Sequence, residues 1–382
     1  MNRIALLDAK TLGSDLDLTC FERFGEVAVY PYTRPEQVLE RAAGCNVIIC
    51  NKVVLTETEM QALPQLELIC VTATGTNNID LLAAARHRIA VCNIKGYSTE
   101  SVAQHTFAML FYLLEHSRYY DEYVKSGTYA GDEIFTHFAK VFHELAALRW
   151  GIVGLGAIGK RVAEIAALFG ARVMYYSTSG RNSSGEGLYP RVDKGTLLRE
   201  SDILSIHAPL NEQTKDFLRY EDLCRMKSSA ILLNLGRGGI VREADLARAL
   251  EEGRIAAAGL DVLEHEPIQA DNPLLRIQDS DRLLITPHIA WASVEARNRM
   301  TGEIMQNMES YFAGGRRNRV DGSPSPLPRR HSRRVYRAPQ SLPGEGTDGG
   351  RPADPGPCQK HGAEPGIAGT RRNRLFGAGG GS

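Results

Sequence analysis

The sequence predicts an α/β fold with two parallel sheets, and three features predict it. Short apolar runs, often rich in β-branched residues, recur along the first 290 residues. Helical patterns separate them, at a spacing of mostly about 20–30 residues, which suits βα units rather than a sandwich. A glycine-rich turn, Gly154-x-Gly156-x-x-Gly159, stands between one such run and a helix.

The runs are Ile4–Leu7, Val47–Cys50, Leu68–Val71, Ile89–Cys92, Gly151–Leu155, Arg172–Tyr176, Ile203–Ile206, Ala230–Leu233, Ala257–Leu260 and Leu283–Ile285. They are short and continuously apolar, as strands buried on both faces must be. Helices such as Asp245–Glu252 fall between them. Two longer helical stretches, Ser101–His116 and Ser293–Phe312, interrupt the alternation where a chain could cross between domains.

Composition narrows the function classes. At about 100–200 residues per domain, 382 residues suggest two domains. No apolar run reaches the roughly 18–20 residues of a membrane span. The N-terminal stretch meets Asp8 after four apolar residues, too soon for a signal-peptide core, so a cytoplasmic protein is expected. The seven cysteines are odd in number and form no C-x-x-C pair, which argues for buried thiols and against a disulfide scaffold or a metal site.

The net charge of zero conceals two unlike pieces. Residues 316–382 carry 13 Lys and Arg against 5 Asp and Glu, leaving 32 basic and 40 acidic residues in 1–315. The body is therefore mildly acidic and is not expected to bind nucleic acid. The basic end holds 13 Gly and 9 Pro but only 7 Ile, Leu, Val or Phe, too few to offset the entropy of ordering it. Residues 319–382 are expected to be a disordered tail. It reads either as a dispensable read-through or as a basic arm, the latter disfavoured because its aromatic residues, Tyr336 and Phe376, are too few for the interleaving a stacking platform needs.

The glycine turn indicates the cofactor class. Gly154 permits a tight turn, Gly156 lets the backbone approach a pyrophosphate, and Gly159 allows close helix–strand packing. Ala157 and Ile158 open the helix, whose N-terminus suits a phosphate. With a strand before and a strand after, the motif reads as a dinucleotide site. NAD sites place an acid about 20 residues on, to hold the ribose 2′-OH. Here Ser177 occupies the strand end, and Arg181 follows. Neither repels a 2′-phosphate, and Arg181 suits one, so NAD or NADP is expected with the balance toward NADP.

Three later segments each follow a strand with polar residues, where ligands of open α/β sheets bind. They are Asn234-Leu235-Gly236-Arg237-Gly238-Gly239, the stretch from Ala258 through Asp261 to Glu266-Pro267, and Thr286-Pro287-His288. Each alone admits an ordinary reading: a surface arginine, capping acids, a satisfied histidine. Three together after one dinucleotide motif point to an active site.

The ordered segments GLGAIG, HAPL (207–210), NLGRGG, AGLDVLEHEP and PHIAWAS, with ATGTNNID (73–80) and CNIKGYSTESVAQHT (92–106), resemble the D-isomer-specific 2-hydroxyacid dehydrogenases, particularly the glycerate dehydrogenase (hydroxypyruvate reductase) branch. The likeness spans about residues 1–318. It implies two doubly wound parallel-sheet domains, a Rossmann coenzyme domain inserted in a flavodoxin-like substrate domain. The implied boundaries are 1–98 and 291–318 for the substrate domain and 99–290 for the coenzyme domain. It implies Arg237, Glu266 and His288 as the active-site set, Asp261 against the nicotinamide, and a homodimer formed through the coenzyme domain. His207, Pro209, Leu235 and Gly236 are expected to line the cofactor pocket, and Gly75, Thr76 and Lys52 to meet substrate from the other domain. The chain departs from the family where an acid is missing at 177, in the tail, and in Leu145–Arg149, which replaces the usual Gly-Lys approach to the glycine turn.

The chemistry follows. An arginine fork grips a carboxylate and polarises a neighbouring carbonyl. An imidazole cycles protons near neutrality, and a carboxylate beside it favours the imidazolium. The expected reaction interconverts a small 2-keto acid and its D-2-hydroxy acid without a metal, foremost hydroxypyruvate and D-glycerate, with glyoxylate as second substrate. The alternatives are D-lactate or phosphoglycerate oxidation, or a non-catalytic NAD(H)-sensing protein like the C-terminal-binding corepressors.

Overall fold

A computed structural model of the chain describes residues 1–180 and 187–322. Among these residues, eleven strands form two sheets, parallel throughout. The first holds β1 (Asn2–Leu6), β2 (Gly25–Val29), β3 (Val47–Cys50), β4 (Leu68–Val71) and β5 (Ala90–Cys92), in the order β2-β1-β3-β4-β5. The second holds β6 (Arg149–Val153), β7 (Arg172–Tyr176), β8 (Ile203–Ile206), β9 (Ile231–Asn234), β10 (Ala257–Leu260) and β11 (Leu283–Ile285), in the order β11-β10-β9-β8-β6-β7. The first order is flavodoxin-like; the second has its switch point beside β6, and a parallel bridge from Tyr175 to Arg191 beyond β7 stands where a Rossmann sheet carries its outer strand.

Ten of these strands fall on the apolar runs of the sequence. The exception, β2, is an edge strand whose side chains are only partly buried, so it shows no continuous apolar run.

The helices are α1 (Val38–Ala42), α2 (Glu57–Ala62), α3 (Leu81–Arg86), α4 (Thr99–Leu114), α5 (Ser117–Lys125), α6 (Ala157–Leu168), α7 (Lys194–Glu200), α8 (Tyr220–Leu223), α9 (Glu243–Glu251) and α10 (Val294–Phe312). The two long ones belong to different sheets. Helix α4 buries Val102, Ala103, Phe107 and Leu110 in the core under the second sheet, beside Trp150 and Ile152. Helix α10 carries Ala296, Met300, Ile304 and Met308 at four-residue spacing, one face of a helix, and buries them with Ile4, Leu6 and Leu68 under the first sheet. The chain therefore leaves the first sheet after β5 and returns to it through α10. Tyr97 and Trp291, on the two crossings, meet edge to face with centroids 6.4 Å apart.

One expectation is corrected. The chain stays packed past residue 318: Val320 N–H donates to the Val91 carbonyl (2.9 Å), and the buried Asp321 carboxylate accepts from Val91 N–H (3.1 Å) and pairs with Arg319. Residues 319–321 thus extend the exposed edge of β5, whose backbone groups need partners. The tail expectation for 323–382 lies outside the described residues. Of the cysteines expected to be buried, Cys45, Cys50, Cys70 and Cys92 are, whereas Cys20 is half-buried and Cys224 is exposed. No described helix is long and apolar enough to cross a membrane.

Candidate active site

The glycine turn connects β6 to α6. Gly154 adopts φ +89°, a left-handed conformation that favours glycine, and its N–H donates to the Tyr176 carbonyl at 2.9 Å. A Cβ on Gly159 would stand 2.1 Å from the Gly154 oxygen, so the helix packs this closely only with glycine there. A Cβ on Gly156 would meet open space. The turn is thus a tight backbone cradle facing outward at the switch point, with Ala157 and Ile158 in the first turn of α6.

Two buried polar atoms flank this cradle without hydrogen-bond partners among the described residues. Ser177 Oγ follows β7, and His207 Nδ1 follows β8. The His207 Nε2 contacts Ser205 Oγ at 3.1 Å, and burial pushes this imidazole down to about 3, so it is neutral at physiological pH. Orphaned polar groups beside an open glycine cradle fit a bound dinucleotide. Of the other expected pocket residues, Pro209 is exposed beyond β8, Leu235 is buried at the end of β9, and Gly236 N–H is held by Asn234 Oδ1 at 3.1 Å. Arg181 lies outside the described residues.

Glu266 and His288 come together although 22 residues separate them: His288 Nδ1 lies 2.7 Å from Glu266 Oε2. The other oxygen, Oε1, accepts from Leu263 N–H at 3.1 Å. Burial raises the Glu266 carboxyl, but the hydrogen bond and charge of His288, the Leu263 N–H and the Lys52 charge outweigh it and hold it below its usual range. His288 has φ +55°, uncommon for a residue with a Cβ, and its N–H is shared between the carbonyls of Asp261 and Thr286, each at 2.9 Å.

Arg237 approaches from the loop after β9. Its Nη1 donates to the Gly236 carbonyl at 2.8 Å, and a Cβ on Gly75 would lie 3.2 Å from its Nη2. Gly75 and Thr76 belong to the turn after β4, so this turn and the guanidinium face each other between the sheets. A Cβ on Gly238 would overlap the Leu263 oxygen at 1.8 Å, so glycine lets the Arg237 loop lie against the segment leading to Glu266. Lys52 is exposed after β3, on the same side as Glu266, whose carboxyl feels its charge.

Asp261 is placed differently from a free ligand-binding carboxylate. It is 2 % exposed, and its oxygens accept from Thr286 Oγ1 (2.6 Å), Ile289 N–H (2.8 Å) and Ala290 N–H (2.9 Å). It fixes the turn that presents His288. Sequence reasoning missed three residues of the site's scaffold. Asp8, read only as the acid ending an apolar run, is buried and accepts the N–H groups of Asn51, Lys52 and Val53. Ser101 Oγ donates to the Ala290 carbonyl at 2.6 Å, and His105 Nε2 lies 3.1 Å from Thr286 Oγ1. Ser101 and His105 stand one turn apart on α4, and that spacing was a signal available in the sequence. Among the described residues, no group of three or more His, Cys, Asp or Glu could hold a metal ion.

Residues 107–290 match the family model described as D-isomer specific 2-hydroxyacid dehydrogenase, NAD binding domain. The glycerate dehydrogenase of Methylorubrum extorquens is 35% identical over 320 residues, 84% of this chain and 99% of that protein. The chain belongs to the D-isomer-specific 2-hydroxyacid dehydrogenase family. The dehydrogenase also superposes on solved structures. A D-lactate dehydrogenase from Aquifex aeolicus, complexed with NAD and lactic acid, matches with a TM-score of 0.73 and 26% identity, over 85% of this chain and 100% of that one. An acyclic imino acid reductase in complex with NADPH and D-arginine matches with a TM-score of 0.73 and 29% identity, over 83% and 99%. The dehydrogenase is thus an oxidoreductase that uses NAD(P).

Proposed function

We propose that this dehydrogenase reduces hydroxypyruvate to D-glycerate, accepts glyoxylate as a second substrate, and runs the reverse oxidation with the same residues. The observation that carries the reading is the 2.7 Å Glu266–His288 pair, with the Arg237 loop packed at Gly238 against the Leu263–Glu264 backbone that leads to it. Arg237 binds the substrate carboxylate through its fork and polarises the adjacent carbonyl. The N–H groups of Gly75 and Thr76 hold the carboxylate from the other side, and Lys52 faces the hydroxymethyl end. His288 gives its Nε2 proton to the forming alkoxide, while Nδ1 stays bonded to Glu266. A bound reduced nicotinamide supplies the hydride. The relative called glycerate dehydrogenase supports this substrate choice, since oxidation of glycerate at C2 gives hydroxypyruvate.

NADP is the favoured cofactor, because Ser177 brings no negative charge to the end of β7. The cytoplasm is the proposed compartment. A homodimer is supported by an apolar ribbon after α5, where Phe135, Phe138 and Val141 are 90%, 80% and 76% exposed. Sedimentation velocity of the parent and of a Phe135→Ser/Phe138→Ser variant tests this, and a parent that sediments as a monomer overturns it.

The test of activity is a panel of hydroxypyruvate, glyoxylate, pyruvate and 3-phosphohydroxypyruvate with each cofactor, followed by NAD(P)H absorbance. The highest kcat/KM is expected for hydroxypyruvate, and a preference for pyruvate or the phosphorylated acid overturns the assignment. Ser177→Asp is expected to shift the NADPH/NADH ratio of kcat/KM toward NADH, because a carboxylate repels a 2′-phosphate. An unchanged ratio would remove position 177 from the ribose site.

A further inference from the structure

We propose that His105 and Thr286 form a positioning relay that aims His288, a role resting on the reading of His288 as the proton carrier. The relay starts on α4, outside the loops that carry Arg237, Glu266 and His288. Thr286 Oγ1 has one proton, and its 2.6 Å contact with Asp261 Oδ1 spends it, because a carboxylate accepts. The 3.1 Å contact between His105 Nε2 and the same hydroxyl oxygen therefore runs the other way, with Nε2–H as donor. This fixes the proton on Nε2 of His105 and orients the threonine hydroxyl toward Asp261. The same Nε2 lies 3.7 Å from Asp261 Oδ1, so the imidazole also backs the carboxylate directly.

The far end of the relay is the turn that presents His288. Asp261 Oδ1 also accepts Ile289 N–H at 2.8 Å, and Oδ2 accepts Ala290 N–H at 2.9 Å. His288, preceded by Pro287, lies between the threonine that donates to Asp261 and the two amides that donate to it. Its left-handed φ of +55° persists only if the flanking residues are held. Ser101, one turn before His105 on the same helix, holds the Ala290 carbonyl at 2.6 Å. Helix α4 thus grips the turn at two places, through Ser101 at its end and through His105 and Asp261 at its middle. Loss of the His105 donor frees the hydroxyl to rotate, loosens the turn, and lets the His288 imidazole drift from the geometry that proton transfer requires.

The experiment compares His105→Phe and Thr286→Val, which remove the donor or the hydroxyl, with His105→Gln and Thr286→Ser, which keep one. His105→Phe and Thr286→Val are each expected to lower kcat about 10- to 100-fold, as small misplacements of a reacting group do. KM for hydroxypyruvate and Kd for the reduced cofactor should stay within about threefold of the parent, since the relay acts on the aim of His288 and not on the residues read as holding either ligand. The double variant should be no slower than the slower single, because both act through one path. His105→Gln and Thr286→Ser should recover most of the loss. Full kcat in Thr286→Val or His105→Phe, with only a lower Tm, overturns the relay and leaves a packing role. A kcat loss that the conservative variants do not recover overturns it as well. Should His105→Phe not fold, Thr286→Val, nearly isosteric, decides alone. His288→Ala separates the two levels: near-parent turnover there breaks the underlying reading, whereas a dead His288→Ala beside a fully active Thr286→Val breaks only the relay.

Discussion

Asp8 and Asp261 occupy corresponding stations in the two sheets. Each follows a strand, β1 or β10, and each buried carboxylate holds the loop leaving the neighbouring strand, β3 or β11. One loop presents Lys52 and the other His288. The difference lies in what backs the carboxylate. Among the described residues, Asp8 is backed by backbone N–H groups alone, and burial outweighs them and the nearby Lys52 charge, pushing its carboxyl above the usual range. Asp261 has a hydroxyl as well, and a histidine behind it. The same device thus serves two tasks. On the proposed reading, the loop that offers a cation is held by amides, while the loop that places a proton within hydrogen-bonding reach recruits side chains from another helix.

The largest expected effects lie at the ends of the two loops. His288→Ala should lower kcat about 10²–10⁴-fold, the usual worth of a positioned acid–base, with cofactor Kd unchanged. Lys52→Ala should act on the other kinetic constant, raising KM for hydroxypyruvate a few-fold, about 1 kcal/mol of an exposed charge contact, with kcat little changed. Steady-state kinetics of both variants checks the contrast, and a Lys52→Ala protein as slow as His288→Ala would erase it. Glu266→Gln should be milder. It keeps a hydrogen-bonding group but removes the charge that favours imidazolium, so the rate of reduction should begin to fail at a lower pH than in the parent. An unchanged upper limb of the pH–rate profile would uncouple the pair.

The scaffold carboxylates themselves come next. In Asp261→Asn one oxygen becomes an amide, which must face Thr286 Oγ1 or Ala290 N–H as a second donor, and kcat should fall about 10-fold or more. In Asp8→Asn one oxygen still accepts Lys52 N–H and Val53 N–H, and a charge disfavoured by burial is gone. Its activity should stay near the parent's. The raised Asp8 carboxyl has a definite sign: the folded protein holds that proton more tightly than the unfolded chain. Stability contributed by Asp8 is therefore present at low pH and declines as pH rises from about 4 through the raised value. Asp8→Asn removes the decline, so across that window its stability should gain on the parent's. Chemical denaturation at several pH values measures this, and parallel curves would refute it.

Much of this design is visible in the sequence. Buried parallel strands must be continuously apolar, so ten strands declared themselves, and Gly154 and Gly159 declared the turn between them because close backbone approach leaves no room for a side chain. Arg237, Glu266 and His288 could be proposed as the site because each lies in a loop after a strand, a polar residue that packing does not demand. The supports were harder to read. Asp8 and Asp261 act through loops that are brought near only by strand pairing, and His105 reaches Thr286 across 181 residues. A carboxylate that accepts backbone amides leaves no residue-type pattern in its partners, since any residue supplies an N–H. Edge positions were also obscure: β2 and residues 319–321 are half-exposed or lie beside a stretch of very different composition.

That last boundary yields the smallest expected effect and closes the comparison of the two sheets. The first sheet depends on a distant segment at its β5 edge, where the buried Arg319–Asp321 pair and the Val320–Val91 hydrogen bond lie. Deletion of residues 323–382 removes a stretch poor in apolar residues and should leave Tm and kcat nearly unchanged. Deletion from residue 319 removes the acceptor of Val91 N–H and reopens the edge, at about 1–3 kcal/mol, or several degrees in Tm for a domain of this size. Burial raises the Asp321 carboxyl, but the Arg319 hydrogen bond and the Val91 amide outweigh it and hold it below its usual range. Its contribution is therefore present above about pH 4 and lost as pH falls through the lowered value. The gap in Tm between the two truncated proteins should accordingly be widest near neutrality and narrow in acid. Differential scanning calorimetry from neutral to acid pH measures it. Equal melting temperatures for the two would show that the β5 edge needs no partner, and a gap that widens in acid would show that the Arg319–Asp321 pair is not what closes it.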